Sequence, residues 1–258
     1  SQFHGDRGGS VAIALVEAGA TVKDVKANDG HTLLGWAIAN QMTDVAIALI
    51  KAGVSTETEE RSPARSAFRD KFESTTFRYH LEVDSRIRPM MLAAAQKNHE
   101  VAQALMDAGA KGNAYSRKYL MAAIIGAWYK DVKMQQIALI GKVPKVQPRK
   151  LVVNLSSQRV TYYENEVAMF STPCSTGRPG YRTPPGEYVI SDQNRYHNSS
   201  IYGSSMPFFQ RFSFAAFGIH QGQLPGYPAS HGCIRLTWEG AQTLFGKLEV
   251  GDLALIVP

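Results

Sequence analysis

The apolar positions of this chain follow two different rhythms. From Val11 the run "VAIALVEAGA" reads as one face of a helix, and it returns as "VAIALIKAGV" from Val45 and "VAQALMDAGA" from Val101. Gly19, Gly53 and Gly109 each stand just past an apolar stretch, where a left-handed helix cap favours a residue without a Cβ. Ahead of the second and third runs lie "TLLGWAIANQMTD" (32–44) and "RPMMLAAAQKNHE" (88–100), which predict a partner helix for each. There Ala37, Ala39, Ala93, Ala94 and Ala95 let helices approach closely, and Leu34, Trp36, Met90 and Leu92 are expected to fill the stack. "GKVPKVQPR" (141–149) is a Pro- and Lys-containing linker, and beyond it the rhythm shortens to that of strands: "KLVVNL", "RVTYYE", "EVAMFSTPC", "GEYVIS" and "LALIVP". In this half "TWEGAQTLFGKL" alone has helical spacing, with Thr237 as N-cap and Ala241, Leu244, Phe245 and Leu248 as its buried stripe.

The first two runs begin 34 residues apart, close to the period of roughly 33 residues in ankyrin repeats. Together with the partner helices, this makes residues 11–141 resemble an ankyrin stack, with signature positions lost at Gly35 and Met91 and "KYLMAAIIGAWYKDVKMQQIALIG" (118–141) as a degenerate closing repeat. The next interval is 56 residues, so an insertion sits at about 57–87. In it Ser62-Pro63 has the form of a helix start, while Phe77, Tyr79, Leu81 and Val83 alternate with polar residues as a strand does. The insertion reads as a decorated surface loop, or alternatively as an arm reaching the second domain or a partner. The expected architecture is a multidomain α + β chain: an ankyrin-like repeat domain over 1–141, a linker over 142–149 and a mostly-β domain over 150–258.

Composition narrows what such a chain does. With 258 residues, 44% of them hydrophobic, it can bury a substantial core. No apolar run approaches the roughly 18 to 20 residues of a membrane-spanning helix. The net charge of +6 is spread along the sequence rather than gathered on one segment. That argues against a nucleic-acid partner and fits mild attraction to an anionic polymer such as a cell envelope. The start at Ser1, without methionine, fits either removal of a targeting segment or a trimmed chain. Cys174 and Cys233 are too few for a disulfide framework, and no Cys/His cluster has the spacing of zinc ligands.

Cys233 sits in "ASHGCIRL" (229–236), and it is either a nucleophile or a small buried apolar residue. A nucleophilic cysteine needs a base or a lowered pKa, together with donors for the oxyanion that forms. His220, thirteen residues upstream in "FGIHQG", ends a strand-like run, and the Gly/Pro-rich stretch "QGQLPGYPAS" can fold back to bring the two together. Gly232 removes side-chain bulk, so that the backbone N–H groups of Gly232 and Cys233 can face a bound carbonyl. Thiolate, imidazole and backbone dipoles suffice for that chemistry, and no cofactor is implied.

Four blocks in order, "STGRPGYRTPPGEYVI", "MPFFQRFS", "GIHQG" and "SHGCIRL", resemble the catalytic domain of bacterial L,D-transpeptidases, the YkuD type, over about residues 150–258. The resemblance implies a β-sandwich-like domain with a short helix after the nucleophile. It makes Cys233 the nucleophile, His220 the general base, and the Gln221 main-chain carbonyl the group that orients His220, although many relatives carry glycine at 221. Gly232 and His231 belong to the oxyanion region or its support, and Ser230 is expected to hold a histidine through its hydroxyl. On the substrate side stand Met206, Arg211 facing an anionic stem, Tyr202 in a polar loop with His197, Ser230, and Arg235 as carboxylate ligand or internal brace. Cys174 is expected to pack as an apolar side chain and Trp238 to anchor its helix. The connection from His220 to Ser230 is shorter than in many relatives, which narrows the rim.

The implied activity is that of a periplasmic or envelope enzyme that exchanges the terminal D-Ala of one peptidoglycan stem peptide for the side-chain amine of another. The repeats would offer a surface to a protein partner. Water as acceptor gives an L,D-carboxypeptidase or endopeptidase instead, and a peptidoglycan-binding adaptor is the alternative of another class. A papain-like protease is excluded by order, since no histidine follows Cys233.

Overall fold

The computed structural model describes residues 3–22, 25–110 and 120–258. It divides into two compact units, Ser1–Lys142 and Val143–Pro258.

The first unit is helical: α1 (Phe3–Glu17), α2 (Leu33–Ala39), α3 (Thr43–Lys51), α4 (Ser66–Arg69), α5 (Thr75–Val83), α6 (Pro89–Ala95), α7 (His99–Asp107), α8 (Leu120–Trp128) and α9 (Val132–Ile140). The three repeated runs lie in α1, α3 and α7, and α2 and α6 are the predicted partners of α3 and α7. Gly19, Gly53 and Gly109 take φ of +82°, +79° and +85°, the left-handed cap that their position demands. Lys118 and Tyr119 of the closing segment lie outside the described residues. Trp36 departs from expectation. The inward stripe of α2 is Leu34, Ala37 and Ile38, and Trp36, two residues on from Leu34, points outward and is 40% exposed.

The insertion is neither strand nor loose loop. Ser74 Oγ accepts the Phe77 N–H (3.2 Å) and starts a helix, α5, whose buried residues Phe77 and Leu81 are one turn apart. Tyr79 and Val83, which completed the strand-like alternation, are 62% and 56% exposed. The preceding helix begins at Ser66 rather than at Pro63. Ala64, Phe68, Phe72, Phe77, Leu81 and Ile87 are all buried and give the segment a small core of its own. Phe68 stacks on His31 with centroids 3.7 Å apart. The Glu60 carboxylate accepts from Thr32 N (3.1 Å), Thr32 Oγ1 (2.5 Å) and His31 Nδ1 (3.1 Å). A Cβ at Gly35 would lie 2.0 Å from Glu60 Oε1, so the lost signature position is the space that this carboxylate fills.

The second unit is built from β1 (Arg149–Asn154), β2 (Arg159–Glu164), β3 (Val167–Ser175), β4 (Gly186–Asn198), β5 (Ser205–Phe212), β6 (Gly218–Gln221), β7 (Ile234–Leu236), α10 (Trp238–Lys247) and β8 (Leu253–Val257). It is a closed barrel in the order β1-β2-β3-β7-β6-β5-β4-β8, not a sandwich. Closure comes from the last strand: β8 pairs in parallel with β1 (Lys150↔Leu253) and antiparallel with β4 (Gly186↔Ile256), which leaves no free edge. The "MPFFQRF" segment is strand β5, and β4 runs on to Asn198, so His197 lies on a strand opposite Met206 rather than in a loop. Leu151, Val153, Val160, Ile190, Phe212, Ile219, Ile234 and Leu236 fill the barrel, and α10 adds Ala241, Leu244 and Leu248 from outside. Thr237 Oγ1 caps α10 by accepting the Gly240 N–H at 3.0 Å.

Candidate active site

The site grows from one parallel strand pair. Ile219 faces Ile234 and His220 faces Arg235 across β6 and β7. Ile219, Ile234 and Leu236 are in the core, so alternation turns Gly218, His220, Cys233 and Arg235 to the other face. Cys233 enters β7 beside Gly218, whose backbone N–H favours the thiolate. A Cβ on Gly218 would stand 2.0 Å from the Gln210 carbonyl oxygen, so only glycine lets β5 and β6 come this close.

His220 is 6% exposed, and its Nδ1 lies 2.6 Å from the Gln221 carbonyl oxygen. A carbonyl only accepts, so Nδ1 carries the proton and Nε2 presents a lone pair. Gln221 makes this contact from within β6. Burial pushes His220 down to about 4, against the favourable Gln221 carbonyl and with Arg235 adding to the depression. Burial also pushes the Cys233 thiol up, with Gly218, Arg235 and Arg211 opposing. Low dielectric disfavours both charges, so at rest the thiol and the imidazole on this face are both neutral.

The turn before Cys233 is tied from within. Gly232 takes φ of +115°, a backbone state that glycine tolerates. Its N–H donates to Ser230 Oγ (3.0 Å), and Ser230 Oγ donates to the Cys233 carbonyl (2.5 Å). Two expectations change here. Ser230 holds the backbone of the turn rather than a histidine, and the Gly232 N–H is committed to Ser230 instead of facing a substrate carbonyl. The Gly232 carbonyl accepts from Thr183 Oγ1 at 2.8 Å.

His231 projects to the surface, stacked on Tyr202 (4.6 Å, 28°), with Tyr181 edge-on (4.7 Å) and Arg178 Nη2 donating to Nε2 (2.9 Å). Tyr202 therefore stands at the rim. Arg211 donates from Nε to Asp192 (2.8 Å) and from Nη1 to the Ala215 carbonyl (3.1 Å), so its guanidinium is already engaged by two partners at the barrel surface. Arg235 packs its aliphatic stem over Gly222, where a Cβ would meet it at 2.9 Å. Met206 is 8% exposed. His197 stacks on Phe209 at 4.4 Å, and Phe209 in turn lies 6.4 Å from His220. Trp238 is exposed and meets Phe208 edge-on at 5.0 Å. Cys174 is buried, with its thiol pushed up to about 12 by desolvation, and it is not bonded to Cys233. A groove of about 630 Å³ lined by Thr176, Pro179, Thr183, Pro184 and Pro228 runs behind the turn, and neither Cys233 nor His220 lines it.

Sequence reading gave Thr183 and Gly218 no role. Gly218 carries a signal, a glycine inside a strand two residues before the histidine. Thr183 carries none, because its partner Gly232 is 49 residues away in sequence.

Fold and site thus define a small β-barrel with a buried, carbonyl-oriented histidine beside a thiol. Residues 148–257 match the model of the YkuD family, the L,D-transpeptidase catalytic domain. No curated protein matches the chain by sequence search. Among solved structures it is similar to an L,D-transpeptidase from Mycobacterium smegmatis (18% identity, 43% of this chain and 59% of that one, TM-score 0.40). Another from Mycobacterium tuberculosis H37Rv has 26% identity over 43% of this chain and 58% of that one, with TM-score 0.40. One from Stackebrandtia nassauensis has 22% identity over 68% of this chain and 81% of that one, with TM-score 0.41. The chain spans less than two thirds of the first two.

Proposed function

We propose that the chain is a cysteine-dependent peptidoglycan L,D-transpeptidase of the periplasm or cell envelope. The observation that carries this reading is the His220 imidazole, held by the Gln221 carbonyl with Nε2 unprotonated on the face it shares with Cys233, inside the segment that matches the L,D-transpeptidase catalytic domain. Cys233 Sγ attacks the carbonyl on the L-centre of diaminopimelate at stem position three while its proton passes to His220 Nε2. The oxyanion collapses, the C–N bond to D-Ala breaks, and the leaving amine takes the proton from His220. A side-chain amine of a second stem then attacks the thioester, gives a proton to His220, and releases the thiol as the crosslink forms. Gln221 orients the base, and the nucleophile turn of Ser230, His231 and Gly232 supports the oxyanion region. Tyr202, Met206 and Arg235 border the donor stem.

The recurring helix pairs support reading residues 1–141 as an ankyrin-like stack that recruits a protein partner. Deleting them should leave the chemistry and abolish that recruitment.

Incubation with tetrapeptide-rich peptidoglycan fragments, analysed by mass beside Cys233→Ala, tests the reaction. Dimers that have lost one D-Ala are expected. Shortened monomers alone make the enzyme a hydrolase, and turnover by the alanine variant overturns the mechanism.

A further inference from the structure

A feature outside the cysteine–histidine pair bears on how the oxyanion is held. Thr183 is 2% exposed and stands just beyond the loop Thr176–Arg182, whose backbone is knitted to the nucleophile turn: Arg178 N–H donates to the Ser230 carbonyl (3.0 Å), and Ala229 and Ser230 N–H donate to the Thr176 carbonyl (2.9 and 3.0 Å). The Thr183 hydroxyl accepts the Gly177 N–H at 2.9 Å, which leaves its own proton for the Gly232 carbonyl at 2.8 Å. A hydroxyl has one proton to give, and both partners define where it points. Gly177 is itself confined, because a Cβ there would lie 1.9 Å from the Tyr181 carbonyl oxygen.

In a trans peptide the C=O and the next N–H point in opposite directions. Fixing the Gly232 carbonyl toward Thr183 therefore fixes the Cys233 N–H away from it. Glycine at φ of +115° does not hold that plane by itself, because glycine is free to leave such a state. The Gly232 N–H is already used by Ser230, so of the two N–H groups flanking the nucleophile that of Cys233 is left for a substrate oxyanion.

We infer that Thr183 is a positioning residue for the acyl-enzyme step: through the Gly232 carbonyl it sets the plane of the Gly232–Cys233 peptide and aims the Cys233 N–H at the oxyanion. The inference rests on Cys233 being an acylated nucleophile, as proposed above, but not on the identity of the acyl donor.

Two reagents separate the effect from general disruption. Acetylation by p-nitrophenyl acetate passes through an oxyanion: the S–C bond forms, the ester C–O bond breaks, nitrophenolate leaves, and the thiol proton goes to His220. Alkylation by iodoacetamide displaces iodide and forms no oxyanion. Both rates are measured on the full chain with Cys233→Ala as blank, for the wild type, Thr183→Val and Thr183→Ser.

The expected result is a loss of about tenfold to a hundredfold in acetylation for T183V, a fraction of what deletion of an oxyanion donor costs. Iodoacetamide reactivity stays close to wild type, and T183S is restored. Should the valine variant not fold, Thr183→Ala, which also lacks the donor and adds no second thiol, carries the same comparison. Equal loss of both rates, or no loss of acetylation, overturns the inference. Wild-type acetylation of Cys233 without turnover of stem peptides overturns the proposed substrate and leaves the role of Thr183 standing, whereas a wild type that is not acetylated overturns both.

Discussion

The neutral resting pair makes a pH prediction with a definite sign. His220 is held near 4 by burial, against an ordinary value of about 6.5. At pH 5 its imidazole is still mostly unprotonated, whereas an exposed histidine is neutral in only about 3% of molecules, so acylation of Cys233 should keep most of its neutral-pH rate down to pH 5, where a base of ordinary pKa would have lost about thirtyfold of its own. The acid limb of kcat/KM is expected near 4 and the alkaline limb above the usual thiol range, because burial raises Cys233. The same shift appears in stability. Between about 6.5 and 4 the unfolded chain binds a proton on this residue that the folded barrel refuses, so stability falls as pH falls, by about 3 kcal/mol once pH 4 is reached. Urea denaturation of the wild type and His220→Asn across this range isolates the contribution as the difference between the two curves. An acid limb near 6.5, or iodoacetamide labelling as fast at pH 6 as at pH 9, would refute the reasoning, since the latter requires a thiolate–imidazolium pair.

Removing one cation from the site, Arg235→Gln, should move the acid limb upward and slow alkylation at fixed pH, because Arg235 disfavours the imidazolium and favours the thiolate. In Gly218→Ala, a methyl 2.0 Å from the Gln210 carbonyl oxygen must push β6 from β5; a loss of about 3 kcal/mol in urea denaturation is expected, together with slower acylation as the Gly218 N–H leaves the thiol. For Glu60→Ala, calorimetry should show the helical unit losing about 3 kcal/mol, because the Thr32 N–H and hydroxyl and His31 lose their buried acceptor.

Local signals carried far in this chain. The glycine caps, the Thr237 cap and the strand rhythm after residue 149 are decided within a few residues, and each is legible as such. The placement of His220 and Cys233 on one face of β6 and β7 could be read because both lie in short, chemically distinctive motifs. What was lost depends on partners distant in sequence. The alternation at 77–83 looks like a strand until Phe72 and Phe68 select Phe77 and Leu81 as the buried pair. Sandwich and barrel share the same strands and differ in pairings between strands distant in sequence, β3 with β7 and β8 with both β1 and β4 among them. Arg211 reads as a free cation, and its ion pair with Asp192 on the neighbouring strand is visible only in the fold.

The register of β6 and β7 has one more consequence. The alignment of His220 with Cys233 is set by the ladder Ile219↔Ile234, and not by the length of the connection between them. That connection is fastened again only from Tyr227, where the Ser175 hydroxyl reaches its carbonyl, and among the described residues 223–226 make no hydrogen bond. Residues can be added or removed there without detuning the reacting pair. Reactivity and selectivity are thus stored in separable parts of the chain, and a lineage, or an engineer, can redraw what the mouth admits while inheriting the reaction unchanged.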